Sequence, residues 1–136
     1  MTDLSYPTYQ KYKEKQKYAY ARGVKLHTAD GKEIGEAIGT YLSIGQPDRV
    51  IITRLFVRPE YRRQGYGRQL VGWLRQLAIE VGANYLQNDT FDRIVYEQPR
   101  YPGQVCDDES IRKVYEKLGF YASEKRTRGY RMRMDV

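Results

Sequence analysis

A buried strand that breaks into a basic, glycine-punctuated turn and then a helix leaves a chain few ways to fold. Val50-Ile51-Ile52-Thr53-Arg54-Leu55-Phe56-Val57 is β-branched and apolar, as a central strand requires, and Pro59 ends it. The turn Arg62-Arg63-Gln64-Gly65-Tyr66-Gly67-Arg68 follows. Leu70, Leu74, Leu77, Ala78 and Val81 then repeat at helical spacing as far as a stop at Gly82. Amides left unpaired in the first turn of a helix point outward and carry partial positive charge. Glycine lets an anion approach them with no Cβ in the way, and Arg62, Arg63 and Arg68 add formal charge at the same point. Glycines that serve packing alone would explain a bare Gly-x-Gly. With the arginines and the preceding strand, the better reading is a site for a phosphate or pyrophosphate.

The rest of the chain reads as one domain spanning 1–136, with a core over 24–136. Val24 to Thr28 and Ile34 to Ser43 flank Asp30-Gly31, a hairpin signal, and Asn84 to Gln87 is a further strand. A short helix runs from about Glu109 to Leu118, with Ile111, Val114, Tyr115 and Leu118 on one face and Gly119 at its end. Phe120 to Lys125 and Tyr130 to Val136 alternate as two strands. Residues 1–23 are assigned to an N-terminal basic, tyrosine-rich helix, in which Lys11, Lys13, Lys15 and Lys17 scatter around the axis. As an extended arm the same lysines would share one side and suit a nucleic-acid backbone. Nucleic acid is therefore kept as a partner but not favoured.

Composition narrows the function classes. The net charge of +7 suits polyanions, small or large, without choosing between them. One cysteine, Cys106, and one histidine, His27, argue against a disulfide or a zinc cluster, so no metal is expected. No run approaches the roughly 20 apolar residues of a membrane helix, and the first residues lack a signal-peptide core. A cytoplasmic protein with no membrane partner is the expectation.

The glycine turn resembles the acetyl-coenzyme A signature of the GNAT (GCN5-related N-acetyltransferase) superfamily, Arg/Gln-x-x-Gly-x-Gly/Ala, here Arg62, Gly65 and Gly67. Tyr115-Glu116-Lys117-Leu118-Gly119-Phe120 is similar to the family's Tyr-x-x-x-Gly-Phe segment. The resemblance implies an α+β GNAT fold: a mixed, mostly antiparallel, splayed sheet with helices on both faces. It implies an N-acetyltransferase taking acetyl-coenzyme A, held by Leu55, Phe56 and Val57 on the strand and by Arg62, Arg63, Gln64, Gly65, Tyr66, Gly67 and Arg68 at the turn. It also implies that Tyr115 protonates the departing thiolate.

Two departures stand out. Where many members carry a glutamate base, this chain has Thr53 and Arg54, and arginine is no base at neutral pH. Asp89 on the next strand is taken as the base candidate, with Glu97 behind it. The segment 91–107 is long for this link, and Tyr96, Glu97, Arg100 and Tyr101 are its candidate acceptor contacts. The acceptor is an amine on a small molecule, peptide or protein, and a homodimer is left open. The rival readings are an acyltransferase for nucleic acid or its bound partners, and a non-catalytic module binding coenzyme A or nucleic acid.

Overall fold

The structure, a computed structural model, describes residues 8–15, 18–89, 108–126 and 129–136, without the side chains of 8, 89 and 108–111. Seven strands form one sheet: β1 (Thr8–Lys15), β2 (Ala19–His27), β3 (Glu33–Leu42), β4 (Arg49–Val57), β5 (Tyr85–Asp89), β6 (Tyr121–Lys125) and β7 (Tyr130–Asp135). Their spatial order is β1-β2-β3-β4-β5-β7-β6, with β4 and β5 parallel and every other pair antiparallel. Helix α1 (Tyr66–Val81) joins β4 to β5, and α2 (Asp108–Lys117) lies between β5 and β6 in the chain.

Helix α1 buries Tyr66, Leu70, Val71, Leu74, Leu77 and Ala78, a stripe at three- and four-residue intervals, against β3 and β4. Gly39 of β3 lets it close down, since a Cβ there would stand 2.7 Å from Val50 and 3.0 Å from Leu77. Gly82 ends the helix in the left-handed region, its N–H donating to the Ile79 carbonyl at 3.1 Å. The sequence reading put helices on both sheet faces. Among the described residues both lie on one face. Arg68 at the start of α1 donates to the Lys117 carbonyl at the end of α2, at 3.2 Å. The steps β4–α1–β5 and β5–α2–β6 advance the same way across the sheet, so right-handed crossovers bring both helices to the same side.

The expected N-terminal helix is also corrected. Where residues 1–23 are described, they form β1 and the start of β2, paired with Lys13 opposite Arg22 and Tyr12 opposite Gly23. Tertiary partners outweigh the weak local preference. The Tyr12 hydroxyl donates to Glu36 Oε2 on β3 at 2.5 Å, and the Tyr9 hydroxyl to Gln69 Oε1 on α1 at 3.3 Å. Alternation then puts Tyr9, Lys11, Lys13 and Lys15 on the helix-bearing face, beside Leu26, Val24, Arg22 and Tyr20 of β2.

The sheet is splayed at its centre. Strands β4 and β5 pair only at Arg49–Tyr85, Val50–Leu86 and Ile51–Gln87. Against β3 the register slips between Ile38 and Gly39, leaving Thr53 as an extra residue in β4. Such a bulge bends its strand and increases its twist, carrying the end of β4 away from β5. Asn88 and Asp89 of β5 continue with Met132 and Arg131 of β7 instead.

Candidate active site

The parting of β4 and β5 opens a cavity of about 450 Å3. Leu55, Phe56 and Val57 form one wall, the turn and first residues of α1 a second, and Val114, Tyr115 and Leu118 of α2 a third. The turn is wound tightly. Arg63 has φ 63° and Gly65 φ 87°. The left-handed conformation costs a residue with a Cβ about 1–2 kcal/mol, so the strain at Arg63 is held in place by its surroundings. Gly65 is the N-cap of α1 and offers no side-chain acceptor to the amides behind it. A Cβ on Gly65 would meet nothing within 4 Å. Glycine is needed there for its φ, and the space above the amides stays open to an anion.

The arginines divide their work in a way that charge counting cannot show. Arg62 lines the cavity, but its Nε donates to the Val57 carbonyl at 2.9 Å and ties the turn to the strand end. Arg68 lines it too while bridging to α2 through Lys117. Arg63 and Arg68 are exposed, whereas Arg62 is half-buried. Gln64 is turned back toward the Glu60 carbonyl at 3.5 Å, and it is the one residue of Arg62 to Arg68 that does not line the cavity.

Tyr115 is 1% exposed and lines the cavity from α2. Phe120 meets its ring edge-on at 5.1 Å, and the Phe120 N–H donates to the Tyr115 carbonyl at 3.0 Å, so the turn after the helix fixes the ring. Asp89 ends β5 opposite Arg131, and its side chain lies outside the described residues. Tyr96, Glu97, Arg100, Tyr101 and Cys106 lie outside them too. Sequence reasoning missed the cavity wall residues Tyr61, Val114, Lys117 and Leu118. The apolar face of α2, on which Val114 and Leu118 flank Tyr115, was the available signal for two of them.

It also missed Glu36. This carboxylate is 7% exposed, on the face away from the helices, and Arg54 Nε approaches Oε1 at 2.8 Å. The Arg54 guanidinium also lies 5.7 Å from the Phe56 ring. Burial, then the hydrogen bond to Glu36 and its charge, raise the pKa of the Tyr12 hydroxyl well above the usual tyrosine range. A glutamate among the apolar residues of Ile34 to Ile38 was the visible clue. Among the described residues no three metal-ligating side chains gather, and no helix is long and apolar enough to cross a membrane.

The acetyltransferase (GNAT) domain family matches residues 23–122. The chain belongs to that family. Its members are acetyltransferases that use acetyl-coenzyme A. Among solved structures the chain resembles nourseothricin acetyltransferase, at 21% identity and a TM-score of 0.64, covering 85% of this chain and 65% of that one. It resembles an acetyltransferase from Bacillus cereus at 20% identity and a TM-score of 0.58, over 87% of this chain and 74% of that one. A GNAT N-acetyltransferase from Escherichia coli, solved with coenzyme A, matches at 18% identity and a TM-score of 0.57, over 84% and 58%. The chain thus spans less than two thirds of the length of the first and third of these. At such identities the likeness establishes the fold. No curated protein matches the chain by sequence.

Proposed function

We propose that this GNAT acetyltransferase transfers an acetyl group from acetyl-coenzyme A directly to an amine, at the cavity between β4 and β5. The carrying observation is that one cavity collects three features: an α1 N-terminus without a side-chain cap, the edge of β4 left unpaired toward β5, and Tyr115. The fit is reasonable: a charged mouth of backbone amides leads to a slot walled by Leu55, Val57, Val114 and Leu118, suiting a ligand with phosphates at one end and a thin arm. The mouth amides would hold the pyrophosphate, and Leu55, Phe56 and Val57 would hold the arm. When bound, the ligand supplies an acyl thioester whose C–S bond breaks as the amine nitrogen bonds to the carbonyl carbon. Tyr115 gives its hydroxyl proton to the departing thiolate, and the amine loses one proton. The bulge at Thr53 turns the β4 backbone where the reacting carbonyl must be oriented. Asp89 remains the proposed proton acceptor.

Tyr115→Phe is the direct test. Turnover should fall about a hundredfold while acetyl-coenzyme A affinity, read by calorimetry, stays within about twofold. Parent-like turnover on a substrate where chemistry limits the rate makes Tyr115 structural.

One observation favours a second reading, in which the acceptor is nucleic acid or bound to it. Because β1 is a strand, Lys11, Lys13 and Lys15 share one side at spacings of about 7 Å, a better match to a phosphate backbone than a helix offers.

A further inference from the structure

A second cavity, of about 210 Å3, opens on the sheet face that carries no described helix. Its walls are Tyr85 and Gln87 of β5, Ser123 and Glu124 of β6, and Arg131 and Arg133 of β7. Register brings them together: Gln87 stands opposite Arg133, and Glu124 opposite Arg131. Each of these side chains carries a polar atom, and two guanidiniums share the lining with one carboxylate, Glu124, while Asp135, outside the lining, pairs with Arg133. Gln87 is 4% exposed, and it is also the last residue of β5 that pairs with β4. The cavity therefore reaches the last paired residue of β5, on the sheet face opposite the slot assigned to the acyl donor.

Arg133 is held before any ligand arrives. Its guanidinium lies 3.8 Å from the centre of the Tyr85 ring, and its Nε donates to Asp135 Oδ1 at 2.7 Å. Arg131 faces Glu124 at 3.7 Å. A guanidinium offers five N–H donors in a planar fork, well matched to oxyanions. At about 30 Å3 per water, the cavity has room for about seven waters, enough for a small charged group and too little for a nucleotide.

We propose that this cavity seats an oxyanion group of the acceptor, so that the amine acetylated here carries a carboxylate or a phosphate. The assignment of the anion to the acceptor rests on the transfer reading above, whereas the anion site itself does not. With the first cavity saturated by coenzyme A, inorganic phosphate is titrated and the Nε–Hε signals of Arg131 and Arg133 are followed by NMR. Saturable shifts of both signals are expected. Arg131→Gln and Arg133→Gln should each weaken binding about tenfold or more, with Arg131→Lys, which keeps the charge but not the planar fork, losing less than Arg131→Gln. A titration that does not saturate, or is unchanged in both glutamine variants, overturns the site. Turnover then tests the acceptor. Phosphoethanolamine against ethanolamine, and glycine against glycinamide, should show at least about a tenfold preference in kcat/KM for one anionic member. The favoured pair identifies phosphate or carboxylate. The glutamine variants should erase that preference through KM. Equal use of both members in each pair overturns the acceptor assignment. Saturable phosphate binding with no thiol released from acetyl-coenzyme A by any amine would leave the anion site standing and remove both the transfer reading and the acceptor assignment.

Discussion

On the helix-covered side of the splay, Leu55, Val57, Val114 and Leu118 wall a slot of about 450 Å3; on the other side, Gln87, Arg131 and Arg133 wall a polar cavity of about 210 Å3. The slot lies where β4–β5 pairing ends at Ile51 and Gln87, and Gln87, the last paired residue of β5, also lines the polar cavity. Alternate residues of a strand face opposite ways, so the two faces of one sheet carry cavities of different chemistry. The helix side adds main-chain donors at the mouth of α1 and confines formal charge to the rim. The other side uses side-chain charge held by neighbouring rings and carboxylates.

Gly65→Glu should break the helix side and leave the other intact. It forces a Cβ residue to φ 87° and sets a carboxylate where a phosphate belongs, so acetyl-coenzyme A affinity should fall about a hundredfold or more. Calorimetry showing parent affinity would unseat the turn as the phosphate site. The phosphate titration at Arg131 and Arg133 should persist in this variant.

Replacing Lys11, Lys13 and Lys15 by glutamate tests the rim of the helix side. Acetyl-coenzyme A affinity and transfer to a neutral small amine should barely change. If the second reading holds, binding of single-stranded DNA or RNA disappears, along with about 2 units of slope in log K against log salt. Parent-like nucleic-acid binding in the variant, or none in the parent, retires that reading.

The smallest effect belongs to Tyr12. Its folded-state pKa is raised, so the stability it contributes is complete below the unfolded value near 10 and is lost as pH climbs above it. At neutral pH, Tyr12→Phe should lower Tm by about 4 °C for one lost hydrogen bond. The gap between parent and variant should narrow above about pH 10. A gap that is constant with pH would mean the Glu36 contact contributes nothing through ionisation.

The helix side was largely legible in the sequence, because its signals are local. Gly65 and Gly82 punctuate α1, the buried Leu70, Leu74, Leu77 and Ala78 follow its period, and Tyr115 sits three residues ahead of Leu118 on one apolar face. Even there, the jobs of Arg62 and Arg68 were hidden, since backbone carbonyls of Val57 and Lys117 leave no trace in residue identity. Strand β1 was misread because both of its faces are polar. Period two appears in Tyr9, Lys11, Lys13 and Lys15, but no apolar face accompanies it, and distant Glu36 and Gln69 make the decision. The polar cavity could not be read at all. Its residues come from three strands, and only the register that sets Gln87 opposite Arg133 brings them together.

The short run of pairing between β4 and β5 also leaves few main-chain links at the sheet's centre. Three rungs, from Arg49–Tyr85 to Ile51–Gln87, join the half made of β1–β4 to the half made of β5–β7. Beyond them β4 and β5 no longer pair. An acyl donor lying along the edge of β4 there would serve as a temporary strand, closing the seam while it stays. Its concentration then acts as a stabiliser of the whole domain, worth about 2.7 kcal/mol at a hundred times its dissociation constant.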